Sequence, residues 1–302
     1  MKHVVWSQWD DLVVPHGFTL RSPANTDLAT ANLDDITFYI PSYMGGRKAL
    51  EFSQRMPNLK VLQMPNAGYE DALEFTRPGM TLCNGRGIHD ASTAELAVGL
   101  TIASLRGFPD FVRNQAKGEW IHKKYQSLND KKVAVIGYGS IGKTVVRNLS
   151  GFDVDVVPFS RSGADGALKI SDLDQHLPSF DVVILILPLN DESRKMFNKQ
   201  RLALLKDGAL LVNVARGGIV DTDALVAELK SGRITAALDV TDPEPLPAGH
   251  PLWSAPGVLI APHVGGNTSA FEPRARRLVE AQLARLARGE KLDNVIVAGD
   301  IL

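Results

Sequence analysis

The sequence predicts an α/β chain organised around a doubly wound parallel sheet. Three observations carry this. Short apolar runs alternate with helical stretches along nearly the whole chain, the pattern of parallel α/β units. One of those runs, Val133–Ile136, enters a Gly-rich turn and then a helix. The 302 residues fit two domains at about 100–200 residues each.

The elements follow in order. The N-terminal stretch reads as a smaller α/β unit with strands His3–Trp6, Thr37–Ile40, Val61–Met64 and Thr81–Cys83. Ala94–Leu105 is apolar on most faces and reads as a buried helix. Six strands follow: Val133–Ile136, Val154–Phe159, Asp181–Leu187, Leu210–Val214, Ile234–Val240 and Val258–Ala261. Helices Lys143–Leu149 and Thr222–Lys230 fall between them; Asp221 or Thr222 caps the second and Gly232 ends it. Near the end, Ala275, Val279, Leu283 and Leu286 recur at helical spacing, with Gly289 as a stop. That helix follows the sixth strand, so it can pack back onto the first domain.

Composition narrows the function. Hydrophobic residues make up 44% and charged residues 22%, which excludes a wholly disordered chain. Thirty-three Lys and Arg against 34 Asp and Glu leave a charge of −1, so no basic excess meets a nucleic acid. Cys83 is the only cysteine, which excludes an intrachain disulfide and a cysteine-based zinc cluster; no metal is expected. It reads as a small buried hydrophobe. The start, MKHVVWSQWDDLVV, lacks a leader's uninterrupted apolar run. Apolar windows such as Val182–Leu189 fall short of the ~20 residues of a membrane span. The expectation is a soluble cytoplasmic chain with no membrane partner.

The run KVAVIGYGSIGKTVV places Gly137, Gly139 and Gly142 as G-x-G-x-x-G between a strand and a helix. That is the context a dinucleotide fingerprint needs. Gly137 permits the tight turn, Gly139 lets backbone approach a pyrophosphate, and Gly142 lets helix and strand pack closely. The amides near Ser140 and Ile141 then point at phosphates. The plainer reading is a simple strand-to-helix turn. Where an acidic residue grips the ribose in NAD-binding domains, the second strand here ends in Ser160, Arg161 and Ser162. A guanidinium between two hydroxyls suits a phosphate, which predicts NADP over NAD, with NAD still possible. Otherwise Arg161 is a solvated surface residue.

Polar residues also follow the later strands, where open α/β sheets bind ligands. The third runs into Pro188, with Ser193 soon after. The fourth runs into Arg216-Gly217-Gly218. The fifth carries Asp239, with Glu244 beyond, and the sixth runs into Pro262-His263-Val264-Gly265-Gly266. A cation, a carboxylate and an imidazole suffice for carbonyl reduction if Arg216, Glu244 and His263 converge. Singly, each has a plainer reading: surface ion pairs for Arg216 and Glu244, and a loop histidine for His263.

The segments LLVNVARGGIVDTDAL, AALDVTDPEPLP and APHVGG resemble the D-isomer-specific 2-hydroxyacid dehydrogenases. GYGSIG, DVVILILPLNDESRKMFN, NAGYEDA and DASTAELAVG fit the same family in the same order, so the resemblance spans roughly residues 60 to 270. It implies a Rossmann-type domain at 95–269, inserted into a smaller flavodoxin-like substrate domain formed by 1–94 and 270–302. It also implies roles. Arg216 matches the arginine that binds the substrate carboxylate and carbonyl oxygen, and His263 the acid/base histidine. Glu244 matches its carboxylate partner, favouring the imidazolium and orienting the ring. Asp239 matches the residue near the nicotinamide carboxamide. Pro188, Ser193, Ala215 and Gly265 fall among the cofactor-binding positions. Ala67, Gly68 and Tyr69 match the loop whose amides hold the substrate carboxylate.

The function implied is NADPH-dependent reduction of a small 2-oxo acid to the D-2-hydroxy acid, similar to glyoxylate or hydroxypyruvate reductases, with closure of two domains excluding water. A bulkier aryl or branched 2-oxo acid is an alternative, as is a dinucleotide-sensing binding protein of the same fold. A phosphoglycerate dehydrogenase with an appended regulatory domain and a formate dehydrogenase are disfavoured by length. Family members usually dimerise, so a homodimer is expected, with Ala94–Leu105, Phe108 and Phe111 as candidate contacts. The sequence departs from the family pattern at Ser160, at Ile186-Leu187-Pro188 and at Ala261-Pro262-His263. Arg86 and His89 stand where less polar residues are expected; they tune substrate choice or lie in a solvated loop.

Overall fold

A computed structural model describes residues 3–27 and 30–300. The first two residues of the N-terminal stretch discussed above lie outside that range. Backbone contacts divide the chain into two units, Met1–His89 with Ser269–Leu302, and Asp90–Thr268 between them. The break precedes residue 94 because the helix there is one continuous rod from Asp90 to Leu105.

The first unit holds strands β1 (Val4–Trp6), β2 (Thr19–Arg21), β3 (Phe38–Tyr39), β4 (Val61–Gln63) and β5 (Thr81–Cys83). They form a parallel sheet in the order 5-4-3-1-2, the flavodoxin-like arrangement. A last strand, Val295–Val297, joins β5 antiparallel at the edge. Successive residues face opposite ways, as a strand's period of two requires. Trp6, Tyr39, Leu62 and Leu82 enter one core; Val5, Phe38, Val61 and Cys83 enter the other. The second core also takes Phe271, Ala275, Val279, Leu283 and Leu286 from the C-terminal helix Phe271–Ala287, so that helix packs within this unit. Gly289, at φ +69, ends it. Burial pushes the Cys83 thiol up to about 12, as befits a packing cysteine.

The second unit holds β6 (Lys132–Ile136), β7 (Asp155–Ser160), β8 (Leu168–Lys169), β9 (Val182–Leu185), β10 (Leu210–Asn213), β11 (Thr235–Leu238) and β12 (Val258–Ile260). Its order is 12-11-10-9-6-7-8, all parallel. Counted from β6, this is the doubly wound 3-2-1-4-5-6 arrangement with one further strand. Val133, Val135, Val182 and Ile184 pack on one face; Ala134, Ile136, Val183 and Leu185 pack on the other. Both faces are buried, which is why these strands read as unbroken apolar runs.

The helices, in chain order, are α1 (Gly46–Glu51), α2 (Asp90–Leu105), α3 (Phe108–Lys117), α4 (Ser140–Leu149), α5 (Leu173–His176), α6 (Lys199–Ala203), α7 (Thr222–Lys230) and α8 (Phe271–Ala287). Asp221 caps α7 by accepting the Ala224 N–H at 3.1 Å. Among the described residues no helix is long and apolar enough to cross a membrane. Sequence reasoning missed the helices α1, α3, α5 and α6 and three edge strands: β2, β8 and the final β13 (Val295–Val297). The three strands are two or three residues long and at least partly exposed, too short for a periodic signal.

Candidate active site

The turn from β6 into α4 is held by two glycines and left open by a third. Gly137 has φ +108, and a Cβ there would stand 2.1 Å from the Ile186 carbonyl oxygen. A Cβ at Gly142 would stand 2.0 Å from the Gly137 carbonyl oxygen. Both glycines are therefore demanded by packing. At Gly139 a Cβ would meet nothing within 4 Å, and the backbone there is ordinary extended chain at φ −78. What glycine provides at 139 is room for a ligand to reach the backbone. No side chain caps α4, and no acidic residue lies in its first turn. The first amides, at Ser140 and Ile141, present the positive end of a ten-residue helix. This cradle fits the phosphates of a dinucleotide.

Arg216 stands just past β10. The buried Asn213 at the strand's end accepts the Ala215 N–H at 3.1 Å and donates to the Arg216 carbonyl at 3.0 Å. A Cβ at Gly217 would lie 2.0 Å from the Thr241 carbonyl oxygen, so the loop can run there only as glycine. The Arg216 guanidinium donates to its neighbour's carbonyl, Ala215, at 2.7 Å. That is its one side-chain bond among the described residues. The surface ion-pair reading of Arg216 does not hold.

His263 follows β12 in a left-handed conformation, φ +53, rare for a residue with a side chain. Three bonds to Asp239 hold it there. The His263 N–H donates to the Asp239 carbonyl at 2.8 Å. The N–H groups of Val264 and Gly265 donate to its two carboxylate oxygens at 2.7 and 2.9 Å. Asp239 is 2% exposed, so a buried charge is balanced by the amides of the loop it shapes. The His263 Nδ1 lies 2.5 Å from Glu244 Oε1. With Glu244 ionised, Nδ1 carries the proton of that bond and Nε2 faces away. Both side chains are about two-fifths exposed, at 43% and 40%. The pair is open to a ligand.

The sequence profile of the D-isomer specific 2-hydroxyacid dehydrogenase NAD-binding domain matches residues 98–265. The chain belongs to this family. Its cofactor is therefore a nicotinamide dinucleotide. The chain is 33% identical over 256 residues to a glyoxylate reductase of Thermofilum pendens, covering 80% of this chain and 75% of that one. It is 30% identical over 263 residues to a D-3-phosphoglycerate dehydrogenase of Methanocaldococcus jannaschii, covering 83% of this chain and 50% of that one. The chain thus spans about half the length of that relative. A solved D-isomer specific 2-hydroxyacid dehydrogenase from Xanthobacter autotrophicus Py2, in complex with NADPH and MES, aligns at a TM-score of 0.75 with 25% identity over 98% of each chain.

At the end of β7 the chain presents two hydroxyls and a cation. Ser160 Oγ accepts the Gly163 N–H at 3.0 Å, and Ser162 Oγ accepts the Ala164 N–H at 3.3 Å. Each hydroxyl keeps its own proton to donate. Arg161 is 84% exposed, with Glu192 at a loose 3.8 Å. Lys143, one position past the last glycine of the fingerprint, pairs with Asp165 at 2.6 Å. Ser193 closes the loop after β9. Its hydroxyl donates to the Pro188 carbonyl at 2.6 Å and accepts the Asn190 N–H at 2.9 Å, so it ties its own loop together. The Asp239 carboxylate is engaged by the His263 loop. Gly265 packs against it, and a Cβ there would lie 2.8 Å from Oδ2.

In the first unit, Ala67, Gly68 and Tyr69 form the loop after β4. Asn84 donates to the Ala67 carbonyl at 2.7 Å and Asn66 to the Gly68 carbonyl at 3.0 Å. The Tyr69 N–H is already taken, by Glu70 Oε2 at 2.9 Å. Only the Ala67 and Gly68 amides are left of the three expected to meet a carboxylate. Sequence reasoning missed Asn84 and Asn213. A polar residue closing an apolar strand, as in LLVN and TLCN, is the signal that was available.

Proposed function

We propose that this chain reduces a small 2-oxo acid to the D-2-hydroxy acid with NADPH, with His263 as proton donor. The carrying observation is the 2.5 Å bond between His263 and Glu244, in a loop that Asp239 holds in a left-handed turn. Bound NADPH supplies the hydride that adds to C2 and breaks the carbonyl π bond. The electron pair moves to the carbonyl oxygen, which takes the Nε2 proton of the His263 imidazolium and leaves the ring neutral. Glu244 on Nδ1 keeps the other nitrogen aimed outward. Arg216 offers its planar fork to the substrate carboxylate and stabilises the developing oxyanion. The Ala67 and Gly68 amides are what the first unit offers to a substrate carboxylate.

The glycine cradle and the Ser140 and Ile141 amides hold the pyrophosphate, with Pro188, Ala215 and Gly265 lining the cofactor. Ser160, Arg161 and Ser162 favour a 2′-phosphate: a guanidinium and two donor hydroxyls stand where a carboxylate would repel it. NADPH is an intracellular reductant, which favours a cytoplasmic location. A homodimer is supported by α3. That helix buries no residue, and Phe108, Phe111 and Val112 lie exposed beside a Trp120 that is 98% exposed. Such a patch is self-complementary when two copies meet about a two-fold axis.

The test is loss of reduced-nicotinamide absorbance with glyoxylate, hydroxypyruvate and phenylpyruvate, each with NADPH and NADH. Turnover with NADPH preferred is the expected result. Arg161→Ala should weaken NADPH binding roughly tenfold or more while leaving NADH binding nearly as it was. Tight dinucleotide binding without turnover of any 2-oxo acid overturns the reductase reading in favour of a sensor.

A further inference from the structure

Arg86 lies in the loop after β5, and the fold builds a support for it. The chain's far end reaches back 208 residues to do so. Arg86 Nε donates to Asn294 Oδ1 at 3.2 Å, and Asn294 Nδ2 donates to the Arg86 carbonyl at 2.9 Å. Asn294 sits in a left-handed conformation, φ +55, and its own carbonyl accepts the Asn84 N–H at 3.0 Å. On the other side, Asn84 Oδ1 accepts the Arg86 N–H at 3.3 Å while Asn84 Nδ2 holds the Ala67 carbonyl at 2.7 Å. The Gly85 N–H donates to the Asn66 carbonyl at 2.7 Å, and a Cβ at Gly85 would collide with the Asn66 nitrogen at 2.8 Å. The Arg86 loop and the Ala67–Gly68 loop are therefore joined by backbone contact and by one shared side chain.

Arg86 is exposed, yet anchored at its inner nitrogen. Holding a long side chain this way has an entropic cost that a merely solvated cation does not bear. Among the described residues no carboxylate forms an ion pair with it, and Nε is its one side-chain donor in use. The two terminal nitrogens remain. They lie side by side and match the two oxygens of a carboxylate.

We propose that Arg86 sets substrate specificity by binding a second, distal carboxylate, so that the preferred substrate is a dicarboxylic 2-oxo acid. This rests on the reductase reading above, in which Ala67 and Gly68 take the first carboxylate. Arg86, fixed beside that loop, is the group of the first unit placed to take the second.

The experiment is steady-state reduction by NADPH of oxaloacetate, of 2-oxovalerate, which has no distal carboxylate, of 3-phosphohydroxypyruvate and of glyoxylate. The unmodified protein should prefer oxaloacetate to 2-oxovalerate about tenfold or more in kcat/KM. Arg86→Met should lower the ratio of oxaloacetate to glyoxylate kcat/KM by about tenfold or more, through KM, and Arg86→Lys should recover part of it. Asn294→Gly keeps the left-handed backbone and removes only the anchor, so it should lower the same ratio by a smaller factor. Glyoxylate turnover with no preference for oxaloacetate overturns the assignment alone. Equal loss on every substrate in Arg86→Met makes Arg86 structural and also overturns it. A preference for 3-phosphohydroxypyruvate over oxaloacetate replaces the carboxylate by a phosphate. No turnover of any of the four overturns the reductase reading, and this assignment with it.

Discussion

Both sheets present loops at the carboxyl ends of parallel strands, and they hold those loops by different means. In the larger unit, backbone meets backbone. Gly137 and Gly142 close on each other, and Gly217 closes on Thr241, at distances no side chain survives. In the smaller unit, side-chain amides do most of the holding, beside one close approach of Gly85 to the Asn66 nitrogen. Asn66 and Asn84 carry the Ala67–Gly68 loop. Behind them a buried Gln63 donates to the Asn84 carbonyl at 3.2 Å and accepts from Gln282 of α8 at 3.0 Å. The difference is instructive. Close backbone approach demands glycine at fixed positions and so leaves a fingerprint in the sequence. An amide network needs only donors and acceptors that meet in space, and leaves no more than a polar residue at the end of an apolar strand.

The largest expected effect separates chemistry from scaffold. His263→Asn tolerates φ +53 and keeps the loop, so reduction should fall about 100- to 10,000-fold while dinucleotide affinity, read by calorimetry, holds. A small loss would remove His263 from the proton transfer. Next come the glycines. Gly142→Ala forces a methyl against the Gly137 carbonyl and should cost about 3 kcal/mol in denaturant unfolding. Gly139→Ala should leave stability nearly unchanged yet weaken dinucleotide binding roughly tenfold. If both variants destabilise alike, the open cradle is not reserved for a ligand.

The amide-held loop supplies the counterpart. Asn84→Ala leaves the Ala67 carbonyl and the Arg86 amide without partners and should cost about 1–3 kcal/mol. It should raise KM for the 2-oxo acid with dinucleotide affinity unaltered; a change in dinucleotide affinity instead would blur the division of labour. The smallest effect is at the α7 cap. The Ala224 N–H, with Lys195 beside it, holds the Asp221 carboxyl below its usual range. A depressed carboxyl stabilises above its unfolded pKa, and the contribution fades as pH falls through the folded one. Asp221→Ala should therefore cost about 1 kcal/mol at neutral pH. Thermal scans of variant and parent should converge in acid.

The sequence made much of this legible. Six strands of the larger sheet were readable because each carries an apolar run, clearest where both faces are buried, as in DVVILIL. Arg216, Glu244 and His263 were readable because each follows such a run. The edge strands β2, β8 and β13 were not, since a short exposed strand owes its place to a neighbour rather than to its own pattern. Nor could spacing reveal that Ser193 ties its own loop, that Glu70 occupies the Tyr69 amide, or that Asp239 holds His263.

By itself, then, the sequence determined the two-unit α/β plan, the glycine cradle and the residue types of the candidate site, because burial period and backbone close approach are written locally. The tertiary structure decided which hydrogen-bond partners those residues have. It set Asn294 against Arg86 across 208 positions and turned Asp239 onto the His263 loop. A hydrogen bond is selected by distance and angle in three dimensions, and separation along the chain carries no record of either.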